Sequence, residues 1–176
     1  MKKASRFMPK YKEESGNMWL FILFMIVIFG VFAWAMWKVP YLILCVPAFF
    51  LMDAWNEKKR IRHFQQLLDE RDDDSICTFS HYFDCRKVDT WIIRAVYEQL
   101  QNYLRSEKEH FPLRPTDDVF IDLRIDEEDF EFDLIEEIAQ RTGRSLDNVE
   151  SNSYFGKASR VENLVYLFNE QPLKAT

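Results

Sequence analysis

Cys77, His81 and Cys85 stand four residues apart. On one helix they would share a face, and thiolates with an imidazole form a zinc-type ligand set. The run offers no fourth ligand beyond the neighbouring Asp84, and Phe79, Tyr82 and Phe83 mark it as an aromatic packing segment. A Cys–His nucleophile pair would also need an orienting group and an oxyanion hole, and the surrounding sequence suggests neither. The other abundant chemistry is carboxylate, with 29 Asp and Glu against 23 Lys and Arg. Asp122, Asp126, Glu127, Glu128 and Asp129 lack the spacing and turn glycine of an EF-hand. Paired acids catalyse when their surroundings separate their pKa values, and carboxylates crowded along one exposed helix have no such separation. Only four glycines occur, and neither phosphate-loop pattern is present. The expectation is therefore no catalytic group, no metal and no cofactor.

The charge is unevenly distributed. Residues 1–63 hold ten Lys and Arg against four acids, a net of +6, and the remainder carries −12. Such asymmetry points to separate jobs along one chain. The acidic part should repel nucleic acid, whose binding depends on neutralising phosphates. Three cysteines make no disulfide framework and suit a reducing compartment.

Met18 to Trp37 is a run of 20 uncharged residues, about 30 Å as a helix, the thickness of a bilayer core. A signal peptide would have a shorter apolar core and a small-residue cleavage site; here Lys38 and Pro40 follow, then a second apolar run from Val39 to Trp55. Fourteen uncharged residues lie between Lys38 and Asp53. Pro47 within that run would kink a helix, which membrane neighbours tolerate. The two runs read as a transmembrane hairpin, with a re-entrant second segment as the alternative. Lys2, Lys3, Arg6, Lys10 and Lys12 precede the first run, and Lys58, Lys59, Arg60 and Arg62 follow the second. The positive-inside rule then puts both flanks in the cytoplasm. Trp19, Trp34, Trp37 and Trp55 sit near the ends of the runs, where such rings anchor. Ile61, Phe64, Leu67 and Leu68 continue at helical spacing into a stalk that ends in an acidic stretch from Asp69 to Asp74.

Beyond the stalk, a long helix is expected over Val88–Arg105, capped by Asp89 or Thr90, with an apolar stripe of Ile92, Val96, Leu100 and Leu104. Pro112 and Pro115 make a loop. Val119 to Ile125 fits a short strand or a loop that plugs a helical core. A second helix begins near Asp126, with early carboxylates at its positive end and Arg141 at its negative one, and Gly143 provides a left-handed stop. A final helix opens with Ser159 and Glu162 at capping-box spacing, buries Leu164, Val165, Leu167 and Phe168, and ends before Pro172.

A long helix, a proline-containing loop, and D-L-x-x-D entering an acidic second helix together resemble an acyl carrier protein. The stretch TDDVFIDLRIDEEDFEFDLIEEIAQRTG and the later NSYF are similar to a small, uncharacterised bacterial family of carrier-like domains. That resemblance implies a small helical bundle over about Val88–Asn169. In carriers a serine in a D-S-L sequence at the start of the second helix holds phosphopantetheine. Here the matching triplet is Asp126, Glu127, Glu128, so Glu127 occupies the serine position, and no Ser or Thr lies between Thr116 and Thr142. A carboxylate cannot form that phosphodiester. What the resemblance leaves is the docking role of an acidic second helix, carried by Glu127, Glu128, Glu131, Glu136 and Glu137.

The expected architecture is mainly α: a basic cytoplasmic N-terminus over 1–17, a transmembrane hairpin over 18–56, a stalk and acidic linker over 57–75, a carrier-like cytosolic domain over 76–170, and a tail over 171–176. The expected function is a non-catalytic interaction module in a bacterial inner membrane. Its partners would be the lipid bilayer and a protein with a basic surface. Two alternatives stand beside it. One is a phosphopantetheine carrier using another residue, such as Ser145, Ser151 or Ser153. The other is an accessory subunit of a membrane complex, packed through Gly30, Ala33 and Ala35.

Overall fold

In a computed structural model of the chain, the residues described are 4–12, 17–39, 45–71 and 75–174. Lys2, Lys3, the expected turn at Pro40 and the acidic run at 72–74 lie outside them. The protein is mainly helical, and the described residues contain no strand, only isolated bridges at Asp118–Arg160 and Arg144–Leu173. Two compact units divide the chain: Lys12–His63, and Met1–Tyr11 together with Phe64–Thr176.

The first unit contains α1, Met18–Lys38, and most of α2, Cys45–Asp69. The Asn17 carboxamide accepts the Trp19 amide at 3.2 Å and starts α1. α1 is apolar on every side, and its hydrophobic side chains are exposed. A helix apolar all round needs a nonpolar surrounding. Among the described residues α1 alone is long and apolar enough to cross a membrane. Pro47 lies close to Cys45, the first described residue of α2. Phe49, Phe50, Leu51 and Trp55 are exposed on it. Further along, Glu57 pairs with Arg60 at 3.1 Å and Lys59 lies over the Trp55 ring at 4.2 Å.

The second unit is built around α4, Thr90–Leu104, which packs against α3 (Ile76–His81), α5 (Ile135–Thr142) and α6 (Val161–Glu170). Asp89 caps α4 by accepting the Trp91 amide at 3.0 Å. Ile92, Val96 and Leu100 are fully buried at the centre. The stretch from Phe111 to Ile125 is a loop, and it buries Phe111, Leu113, Val119, Leu123 and Ile125. Of the strand and the core-plugging loop, the structure forms the loop. Asp118 holds it in a tight turn by accepting the Phe120 and Ile121 amides, both at 2.9 Å.

The expected capping box before α6 does not form. Arg160 is the residue preceding the helix and gives no side-chain cap. The open amides of Val161 and Glu162 bond the Asp117 and Pro115 carbonyls instead, at 3.0 and 2.8 Å. Tertiary carbonyls thus satisfy groups that a local serine was expected to satisfy. Gly143 does end α5 in the left-handed region, with φ at 67°.

The N-terminal segment packs with this second unit as a strap. Ser5–Phe7 form a 3-10 turn, and Met8 is buried. The Arg94 guanidinium donates to the Ser5 hydroxyl at 3.3 Å, and Arg141 donates to the Pro9 carbonyl at 3.3 Å.

Candidate functional site

The acidic helix enters α5 through a π-helical turn, Asp129–Leu134. Such turns hold one residue more than an α-turn and recur at functional positions. Phe130 and Leu134 point into the core there, and Phe130 meets Phe120 edge-on at 5.1 Å. Glu127, Glu128, Glu131 and Glu136 are exposed. No hydrogen bond or ion pair joins their carboxylates to any described residue. Glu137 differs from them. It is half-buried and accepts from the Gln99 amide nitrogen at 2.5 Å. The five sequence candidates therefore separate into four that face water and one turned inward.

Glu137 belongs to a polar cluster that the sequence reading missed. Arg141, read from the sequence only as a charge at the helix's negative end, has a buried side chain. It donates to Gln99 at 2.7 Å, to the Pro9 carbonyl, and to Glu98 in an ion pair. Glu98 also pairs with Arg94 at 2.9 Å. Burying a guanidinium is costly unless its donors are matched, and here they are matched across α4, α5 and the strap. Beside the cluster lies a hollow of about 450 Å³ lined in part by Lys10, Tyr11, Asn102 and Tyr103. Burial, then the nearby Glu137, Asp133, Asp129 and Tyr11, raises the Tyr103 hydroxyl well above the ordinary tyrosine value.

On the other flank of the acidic helix is a cavity of about 610 Å³. Phe120, Phe130, Ile135, Leu146, Phe155 and Leu167 make most of its wall. Glu127 and Glu131 line it too, and no Lys or Arg does.

Asp117 is the second long-range site. Its carboxylate takes both ends of the Arg71 guanidinium at 2.8 Å and the Arg114 amide at 2.8 Å. Arg71 also donates to the Pro112 carbonyl at 3.0 Å. Burial pushes the Asp117 carboxyl above its usual value, opposed by the Arg114 amide and by Arg71. Neither residue carries a local signal of this pairing, since 46 positions separate them.

The remaining candidates are scattered. α3 ends at His81, so Cys85 lies in the turn beyond it and the three Cys and His residues do not share a helical face. Among the described residues no group of three or more His, Cys, Asp or Glu is arranged to hold a metal. Ser145 is buried and donates to Asp147 at 2.6 Å. Ser151 and Ser153 bond Asn148 and Glu170 at 2.7 and 2.9 Å. No protein-family model, curated protein or solved structure matches the chain.

Proposed function

We propose that the protein is a membrane-anchored, non-catalytic interaction module that docks a partner with a basic surface through the acidic helix. The observation that carries this reading is the set of four exposed carboxylates at Glu127, Glu128, Glu131 and Glu136, unengaged by any described residue. An array of one sign on a rigid helix steers and orients an oppositely charged partner. The carrier-like resemblance favours the same helix as the docking element.

The test places a photo-crosslinking residue at Phe132, an exposed ring on the π-helical turn. Changing Glu128, Glu131 and Glu136 together to Lys is expected to abolish crosslinked adducts in native membranes, with the helical circular dichroism unchanged. Adducts that survive the triple change would remove the docking reading. Carrier chemistry is tested separately. Co-expressed with a broad-specificity phosphopantetheinyl transferase, the full chain is expected to keep its unmodified intact mass. A gain of one phosphopantetheine would restore the carrier alternative.

We further infer a cytoplasmic-membrane location with both chain ends cytoplasmic. The strap before α1 and the residues from Phe64 onward belong to one compact unit. Chain leaving and re-entering one folded body must cross a membrane an even number of times. Basic flanks on both sides of the apolar runs agree with a cytoplasmic body. The apolar residues of early α2 supply the second crossing on this reading.

A further inference from the structure

We propose that the cavity beside the π-helical turn receives an apolar side chain of the basic partner segment, while Glu127 and Glu131 pair with the cations that flank it. This rests on the docking reading above and names the chemistry of what docks.

The cavity wall is aromatic and aliphatic, and Phe155 remains about half exposed at 48%. At about 610 Å³ its volume exceeds what one Leu or Phe side chain fills. Two carboxylates line it with no cation to offset them. A fatty carboxylate would bring a third negative charge against Glu127 and Glu131. An apolar group carried between Lys or Arg residues meets matched charge instead. Basic segments with apolar anchors bind this way when a hydrophobic pocket is rimmed by acids. The π-helical turn supports the same arrangement, since Phe130 turns inward from it and its neighbour Glu131 lines the cavity.

Gly156 gives a position from which to obstruct the cavity. It lines the cavity, and a Cβ built on it meets nothing within 4 Å. Gly156→Trp therefore adds an indole to a lining position where the Cβ itself meets no clash. The full chain in nanodiscs of zwitterionic lipid, which do not themselves attract basic peptides, is titrated with two synthetic helical peptides. Both carry six lysines; one presents a central Leu-Leu-Trp anchor and the other has serines in those positions.

The anchored peptide is expected to bind wild type at least tenfold more tightly than the serine peptide, the return expected from burying one large apolar group. Gly156→Trp is expected to erase that difference and leave the serine peptide's affinity unchanged. Glu127→Gln with Glu131→Gln is expected to weaken both peptides and flatten their salt dependence. Equal loss of both peptides, or none, in Gly156→Trp would overturn the cavity proposal while leaving the docking helix intact. Failure of both peptides to bind wild type would overturn both. Tight binding of dodecanoate that Gly156→Trp abolishes would reassign the cavity to a fatty acid and overturn the proposal as well. Circular dichroism and thermal melting of each variant confirm that it is folded.

Discussion

Arg71→Ala is expected to destabilise the second unit by about 3–5 kcal/mol, because it leaves a buried carboxylate without its counter-charge. Arg71 and Asp117 are 7% and 3% exposed at the side chain, so little water reaches either group. The total stability of a small domain is about 5–15 kcal/mol, and the loss is a large share of it. The pair also holds three segments together: the end of the stalk helix, the Pro112–Asp117 loop, and the start of α6, whose first amide bonds the Asp117 carbonyl. Thermal unfolding of the full chain in detergent should show the loss directly. Adding Asp117→Asn should recover about half of it, since the amide oxygen still accepts from Arg114 and no charge remains buried. The pH dependence follows from the raised Asp117 carboxyl. Without Arg71 that group rises further, and stability tied to its protonated form is lost as pH climbs through the folded value. The deficit of Arg71→Ala should therefore be largest at neutral pH and shrink as pH falls toward about 4, the unfolded carboxylate value. A deficit independent of pH would mean that the pair matters through packing alone.

The second large effect is all-or-none. In a Cys45→Ser background, Lys38→Cys is expected to react with a membrane-impermeant maleimide on intact cells, and Cys77 and Cys85 only after lysis. Cys77 and Cys85 are exposed in the second unit, so a membrane, not burial, would be what protects them. α1 has 21 residues, which at the α-helical rise span about 30 Å. On the proposed hairpin reading, the run from Val39 to Trp55 is shorter, about 25 Å if helical throughout, and would need local thinning of the bilayer. Labelling of Cys77 in intact cells would put the acidic domain outside. Protection of Lys38→Cys in intact cells would mean that α1 does not cross.

Much of the fold was legible because its signals are local. Asp89 caps α4 and Gly143 stops α5, each at the position its chemistry requires, and the composition of α1 alone marks it as a membrane candidate. What escaped was set by residues far apart. Arg141 lies 132 positions from the Pro9 carbonyl that it holds, so its charge read as a helix-end cation. Ser159 has a capping residue's spacing, yet the Pro115 and Asp117 carbonyls reach the helix first. The π-helical turn escaped for a different reason. Phe130 and Phe132 alternate with acids in DFEFDL, a pattern that a 3.6-residue period does not resolve. At the candidate site, the exposed carboxylates were readable from their crowding on one helix. The inward turn of Glu137 was not, because Gln99 supplies its partner from another element.

The strap has a consequence for how the protein is made. Its residues leave the ribosome before Arg94 and Arg141, which hold it and follow some 90 to 130 positions later. At ordinary translation speeds the interval is about ten seconds. On the proposed membrane reading, α1 reaches the bilayer in that time while the strap waits undocked. On that reading the anchor is less a tail attached to a finished domain than an excursion taken in the middle of folding one. Docking of the strap joins residues more than a hundred positions apart, the kind of closure whose entropy cost slows folding.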